Sequence, residues 1–146
     1  SEAGMPAVAD PGSSLVRAAH DLGLAVVPLV GPCSLVLALA ASGLNGQSFA
    51  FVGYVPQDSA QRNQHLVALE KLALQSGQTQ ILIETPYRNA AVMAALLGSL
   101  KDSTQLAVCS GLTLPQMQIQ SLRVADWKRL NPSLDKHLPV VFAFGP

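Results

Sequence analysis

The stretch TQILIETPYRNAAVMAALLGSL, residues 79–100, holds a strand, a turn and a helix in sequence. Thr79 to Glu84 is strongly strand-like, with Ile81-Leu82-Ile83 at its centre. Pro86 suits the first turn of a helix, where its absent N–H is not missed. Beyond it Met93, Leu96, Leu97 and Leu100 recur at helical spacing and mark a buried stripe. Glu84 ends an apolar strand, where a carboxylate needs a partner, and Arg88, four residues on, is the candidate.

The same alternation extends outward. Upstream, Leu15, Val16, Ala19 and Leu22 follow helical spacing and stop at Gly23. Leu24 to Val30 reads as a buried strand, and after Gly31-Pro32 the apolar segment from Cys33 to Ser42 reads as a helix buried on most sides. Phe49 to Gly53 is a short strand, followed by a helix over Gln57 to Ser76 that turns Leu66, Leu69, Leu72 and Ala73 inward. Downstream come strands at Gln105–Cys109, Gln118–Val124 and Val140–Phe144, with a helical turn at Ala125–Leu130. Two strands arriving close together after residue 109 predict an α/β fold: a mixed sheet flanked by helices, with an antiparallel element near the C-terminus.

The 146 residues suit one domain; 49% are hydrophobic and 12% charged, which excludes disorder and suggests surface covered by a partner domain or second subunit. Nine basic and nine acidic residues cancel, so no overall field invites nucleic acid. Leu22 to Gln57 carries no charge, but Pro28, Gly31, Pro32 and the run Asn45–Ser48 break it up, so no membrane span is expected. Ser1-Glu2-Ala3-Gly4 lacks the basic start of a signal peptide, and Cys33 and Cys109 are isolated, which together predict a reducing cytoplasm.

There is no phosphate-loop lysine and no G-x-G-x-x-G after a strand, and no serine sits in a nucleophile elbow. His20, His65 and His137 are scattered, so no metal is expected. What remains is a set of loops at strand–helix junctions: 1–12, 31–34, 84–88 and 110–115. Glycine admits close backbone approach to a ligand, and the helix start after Gly31-Pro32 offers free N–H groups. Each loop also has a plain structural reading: Asp10 stabilising a helix N-terminus, a connector at 31–34, an ion pair at 84–88, and an ordinary loop at 110–115.

Taken in order, these junctions resemble the tetrapyrrole methylase-like superfamily of S-adenosylmethionine-dependent methyltransferases, and within it the branch that 2′-O-methylates cytidine in ribosomal small-subunit RNA. The likeness rests on Ser1-Glu2-Ala3-Gly4-Met5-Pro6, Ala9-Asp10-Pro11-Gly12, Pro28-Leu29-Val30-Gly31-Pro32-Cys33-Ser34, Ala40-Ala41-Ser42-Gly43-Leu44, Phe51-Val52-Gly53-Tyr54-Val55-Pro56 and Glu84-Thr85-Pro86-Tyr87-Arg88. Two positions depart from it. Met5 stands where threonine is usual, and Ser110-Gly111 stands where the RNA-modifying branch has Arg-Glu.

The resemblance implies two α/β domains that clasp the cofactor, usually in a homodimer. Residues 1–31 would close the first domain, whose remainder is largely missing, and residues 32–146 would form the second. It implies that Gly4, Met5 and Pro6 lie beside the methionine part of S-adenosylmethionine. Pro32, Cys33 and Ser34 would lie near its methionyl or adenosyl portion, Ile83 and Glu84 beside the adenosine, and Thr113 on the adenine side. The four turns would then border one nucleoside-sized cleft. Methyl transfer is an in-line displacement that needs positioning more than a catalytic triad. Glu2 and Asp10 are the acidic candidates for assisting a hydroxyl nucleophile. The expected activity is methylation of RNA, with the chain inactive alone. The alternatives are C-methylation of a tetrapyrrole and a non-catalytic cofactor-binding or dimerisation module.

Overall fold

In a computed structural model, residues 4–146 are described, and the chain falls into two compact units, one reaching to Ser34 and the other running from Leu35 to Pro146. The first unit contains helix α1 (Ser13–Asp21). Gly23, at a φ of 67°, reverses the chain, and the N–H of Leu24 returns to the carbonyl of Ala19 at 2.9 Å. That left-handed conformation is one glycine adopts without penalty.

The strand expected at Leu24–Val30 does not form: this segment has no regular secondary structure, and Val27, Leu29 and Val30 are exposed. The physical reason is that a strand exists only as one side of a ladder. Among the described residues, none pairs with it.

Helix α2 (Ser34–Ser42) starts on the last residue of the first unit, and the second unit holds the rest of it, then β1 (Phe49–Gly53), α3 (Ser59–Ser76), β2 (Thr79–Glu84) and a short 3-10 turn at Pro86–Arg88 that leads into α4 (Asn89–Ser99). It ends with β3 (Gln105–Ser110), β4 (Gln118–Arg123), α5 (Val124–Leu130) and β5 (Val140–Gly145). The strands form one mixed sheet in the order β1-β2-β5-β3-β4. β1 and β2 are parallel, while β5 runs antiparallel to both β2 and β3, and β4 antiparallel to β3. Hence β1, β2 and β3 point the same way and end on one edge of the sheet.

The core lies between the sheet and α3, α4 and α5. Leu82, Leu106, Phe142 and Phe144 meet Leu66, Val92, Leu96 and Trp127 there. Each such fully buried side chain contributes roughly 1.5–3 kcal/mol. The Trp127 indole N–H donates to the carbonyl of Leu106 at 2.8 Å, so its polar atom is satisfied inside the core.

Two helix faces differ from expectation. α2 buries only Leu35, Ala38, Leu39 and Ser42, leaving Val36 and Leu37 exposed, so it is covered on one side rather than on most. In α3, Leu66 and Ala73 point inward and Leu69 packs against the core, but Leu72 is exposed and Glu70 is buried. The reason is local. A Glu70 carboxylate oxygen accepts from the Lys101 N–H at 2.7 Å and from the Thr104 hydroxyl at 2.5 Å, pinning the turn between α4 and β3. The same turn receives the N–H groups of Val124 and Ala125, so α5 starts from it.

Two outcomes follow from this packing. Glu70→Ala leaves two donors without their acceptor and should cost about 2–4 kcal/mol in urea unfolding, whereas Glu70→Gln, which keeps an oxygen, should cost clearly less. Burial pushes the Cys109 thiol from 9.0 up to about 11. The folded state therefore holds that proton more tightly, and its contribution is full below pH 9 and declines as pH rises from 9 to 11. Against Cys109→Ala, the wild type should lose on the order of 2–3 kcal/mol across that window. A stability difference between the two that stays flat with pH contradicts this.

Candidate functional site

In the second unit, the C-terminal ends of β2 and β3 are held together by one residue of β5. Val140 is the register partner of Glu84 on one side and of Ser110 on the other. The residues before it extend the tie. Leu138 O accepts from the Asn89 side-chain amide at 3.1 Å, and Pro139 O accepts from the Gly111 N–H at 2.9 Å. The turns at 84–88 and 110–115 are therefore neighbours on one sheet edge, as the sequence predicts for two of its four loops.

Glu84 is the charged group of this edge. One carboxylate oxygen accepts from the N–H of Thr85 at 2.9 Å and from its hydroxyl at 3.3 Å. The other oxygen lies 3.2 Å from the Arg88 guanidinium, close enough for an ion pair but without hydrogen-bond alignment. The Glu84 side chain is 1% exposed and that of Arg88 18%. The ion pair read from the sequence is present. Asn89 next to it was missed: it is fully buried, its amide nitrogen holds Leu138, and its oxygen has no hydrogen-bond partner. The available signal was an amide directly after the Glu84–Arg88 run, at the first residue of a helix.

Thr113 is exposed in the other turn. The Leu114 N–H returns to Gly111 O at 2.9 Å, and Thr113 adopts a φ of 70°. A positive φ at the third position of a turn favours glycine or asparagine, so a β-branched residue there is strained by roughly 1–3 kcal/mol. Such strain concentrates where a ligand or a reaction needs it. Ile83, half-buried, completes the expected residues of this edge.

In the first unit, the Met5 N–H donates to Pro32 O at 2.8 Å, which brings the loops at 4–12 and 31–32 together. Gly4 has a φ of 87°, and a Cβ there would stand 3.1 Å from the same carbonyl. Only glycine fits that position without displacing its neighbour. Pro6 is exposed and Cys33 half-buried in these loops, and Ser34 is the first residue of α2. Asp10 makes no cap to α1, whose N-cap is Gly12 without a side-chain hydrogen bond. One Asp10 oxygen is shielded from solvent and has no partner. Glu2 lies outside the described residues. Among the described residues no group of three or more His, Cys, Asp or Glu could hold a metal, and no helix is long and apolar enough to cross a membrane.

The sequence profile of the tetrapyrrole (corrin/porphyrin) methylases matches residues 1–126, and the chain belongs to this family. It is 35% identical over 126 residues to the ribosomal RNA small subunit methyltransferase I of Vibrio cholerae, a match covering 86% of this chain and 42% of that protein. To the protein of the same name from Halalkalibacterium halodurans it is 40% identical over 113 residues, covering 77% of this chain and 37% of that one. The chain thus spans less than half the length of these relatives. Among solved structures, the methyltransferase CobJ aligns with a TM-score of 0.59 at 17% identity, over 97% of this chain and 61% of that one. A uroporphyrin-III C-methyltransferase from Thermus thermophilus, complexed with S-adenosylhomocysteine, gives 0.56 at 17% identity, over 97% and 62%. At those identities the likeness is one of fold.

The buried ion pair makes a specific expectation. Arg88→Met leaves the Glu84 carboxylate buried beside an uncharged neighbour and should cost about 3–5 kcal/mol, while Glu84→Gln with Arg88→Met should recover part of that loss. Urea denaturation of the single and double variants checks it. A double variant no more stable than Arg88→Met would show that charge burial is not the cause.

Proposed function

We propose that the protein is an S-adenosylmethionine-dependent methyltransferase of RNA, of the type that 2′-O-methylates ribosomal small-subunit RNA. The observation that carries this reading is the 35–40% identity to relatives named for that RNA, over 126 and 113 residues. The likeness to tetrapyrrole enzymes reaches 17% identity in the two structures above. C-methylation of a tetrapyrrole is therefore the second reading. A non-catalytic cofactor-binding or dimerisation module is the third.

The cofactor is proposed at the residues that the resemblance assigns to it. Gly4, Met5 and Pro6 would lie beside its methionine part, Pro32, Cys33 and Ser34 near its methionyl or adenosyl portion, and Ile83, Glu84 and Thr113 on its nucleoside side. The shielded, unpartnered oxygen of Asp10 is an acceptor that a cationic or hydroxyl-bearing ligand would satisfy. When bound, S-adenosylmethionine supplies a methyl carbon activated by a sulfonium. The chain itself supplies close backbone approach at Gly4, a rigid path at Pro6 and Pro32, and an acceptor for a hydroxyl proton in Asp10 or Glu2. The division at 31/32 into two domains, a homodimer, and a cytoplasmic location belong to the same proposal. Exposed Phe49, Phe51 and Tyr54 and the 12% charge fraction support a covered surface. The 146 residues alone are proposed to be inactive.

Calorimetry of the full-length protein with S-adenosylmethionine, and mass spectrometry of ribosomal RNA incubated with both, test the proposal. Gly4→Ala should weaken cofactor binding by at least about tenfold, because its Cβ meets Pro32 O, while the second unit unfolds as before. Absence of cofactor binding in the wild type favours the dimerisation module, and binding without methyl transfer to either substrate favours the cofactor-binding one. Methylation of uroporphyrinogen but not RNA favours the second reading.

A further inference from the structure

A cavity of about 250 Å3 opens on the sheet beyond the site just described. Its floor is two directly facing pairs on β3 and β4, Ser110 opposite Gln118 and Val108 opposite Gln120. Strand alternation puts all four side chains on one face. The wall comes from Trp127 and Leu130 of α5 and from residues 132–134. Asn131, left-handed at a φ of 48°, ends α5 and turns the chain back so that Ser133 borders the cavity.

The lining defines what it can bind. No lining residue carries a formal charge. That disfavours a phosphate, a carboxylate or a sulfonium as the group held inside. The side chains of Ser110, Gln118, Gln120 and Ser133 make no hydrogen bond among the described residues, so two primary amides and two hydroxyls remain available beside the buried Trp127. A primary amide presents a donor and an acceptor side by side, which matches the paired donor and acceptor on the edge of a nucleobase. The volume lies below the roughly 300–1,000 Å3 of pockets for drug-sized ligands, and so suits one ring system.

We propose that this cavity receives a single unstacked nucleobase of the RNA substrate, held at its edge by Gln118 and Gln120. The inference rests on RNA being the substrate. It adds a base-reading subsite next to the 110–115 turn. Single-stranded RNA is read in this way, by bases splayed out and hydrogen-bonded on their edges. Lys128 and Arg129 flank the lining residues of α5, both exposed. Their surface ion pairs with Asp102 and Asp126 are weak enough to be exchanged for backbone phosphates.

The test is calorimetry of the full-length protein saturated with S-adenosylhomocysteine, so that the cofactor's own site is filled, titrated with cytidine, uridine and adenosine. At least one nucleoside should bind, Gln120→Leu should weaken it by about tenfold, and Ser133→Trp, which fills the cavity from an exposed loop, should abolish it. Gln120 is exposed on an edge strand, and both variants should melt with the wild type. No nucleoside binding in the presence of S-adenosylhomocysteine, or binding indifferent to both substitutions, overturns the proposal. Methyl transfer to RNA separates it from the broader reading. If the wild type methylates RNA and both variants keep its rate and sequence context, the subsite falls and the RNA reading stands. If the wild type methylates no RNA yet binds nucleosides through Gln120, RNA falls as the source of the base.

Discussion

The antiparallel insertion of β5 between β2 and β3 is the constraint on which the second unit depends. Every residue of β5 is buried, and Val140, Phe142 and Phe144 supply the middle of the core while both backbone edges are paired. Without β5, β2 and β3 would have no common neighbour, and the turns at 84–88 and 110–115 would have no reason to lie side by side. Leu138 and Pro139 continue the tie beyond the strand by accepting from Asn89 and Gly111. The site edge is therefore assembled by residues 138–145, far in sequence from β2. Such non-local pairing pays its loop-closure cost before contacts repay it.

Much of this was legible because local pattern and tertiary need agree. The strands at Phe49–Gly53 and Thr79–Glu84 lie where their apolar runs place them, and the pairing of Glu84 with Arg88 follows from the cost of a lone buried carboxylate. Leu24–Val30 is a longer apolar run than Thr79–Glu84 yet forms no strand, because Pro28 has no N–H to give a ladder and, among the described residues, no neighbour pairs with the segment. Burial in α3 shows the same limit. Periodicity alone turns Leu72 inward; the acceptor demanded by Lys101 and Thr104 turns Glu70 inward instead. The loops resemble their relatives' loops in order, yet the roles of Asn89 and Val140 appear only once the strand order β2-β5-β3 is known.

The departure at Ser110-Gly111 acquires a structural meaning in that arrangement. Gly111 is buried, with a φ of 58°, and a Cβ on it would come within 3.5 Å of Leu138. A glutamate there would have to adopt a left-handed backbone beside an apolar side chain. The position is thus matched to the Leu138–Val140 segment rather than to a charged substrate contact. Ser110, by contrast, sits at the floor of an uncharged cavity, where a long cation would fill the space that Gln118 and Gln120 now face. On the proposed reading, this edge recognises a ligand by shape and hydrogen bonding.

That mode of recognition bears on how an electroneutral chain could serve an RNA substrate. Nonspecific affinity for nucleic acid comes from neutralised phosphates and released counterions, and nine basic residues balanced by nine acidic ones supply little of either. The buried pair of Glu84 and Arg88 is committed to the fold, so it adds no free charge to the edge. On the proposed reading, recognition by this portion rests on reading a base, which gives selectivity at the reacting nucleotide rather than bulk affinity. Such selectivity suits a methyl transfer, where placing one nucleophile in line matters more than holding the whole substrate tightly.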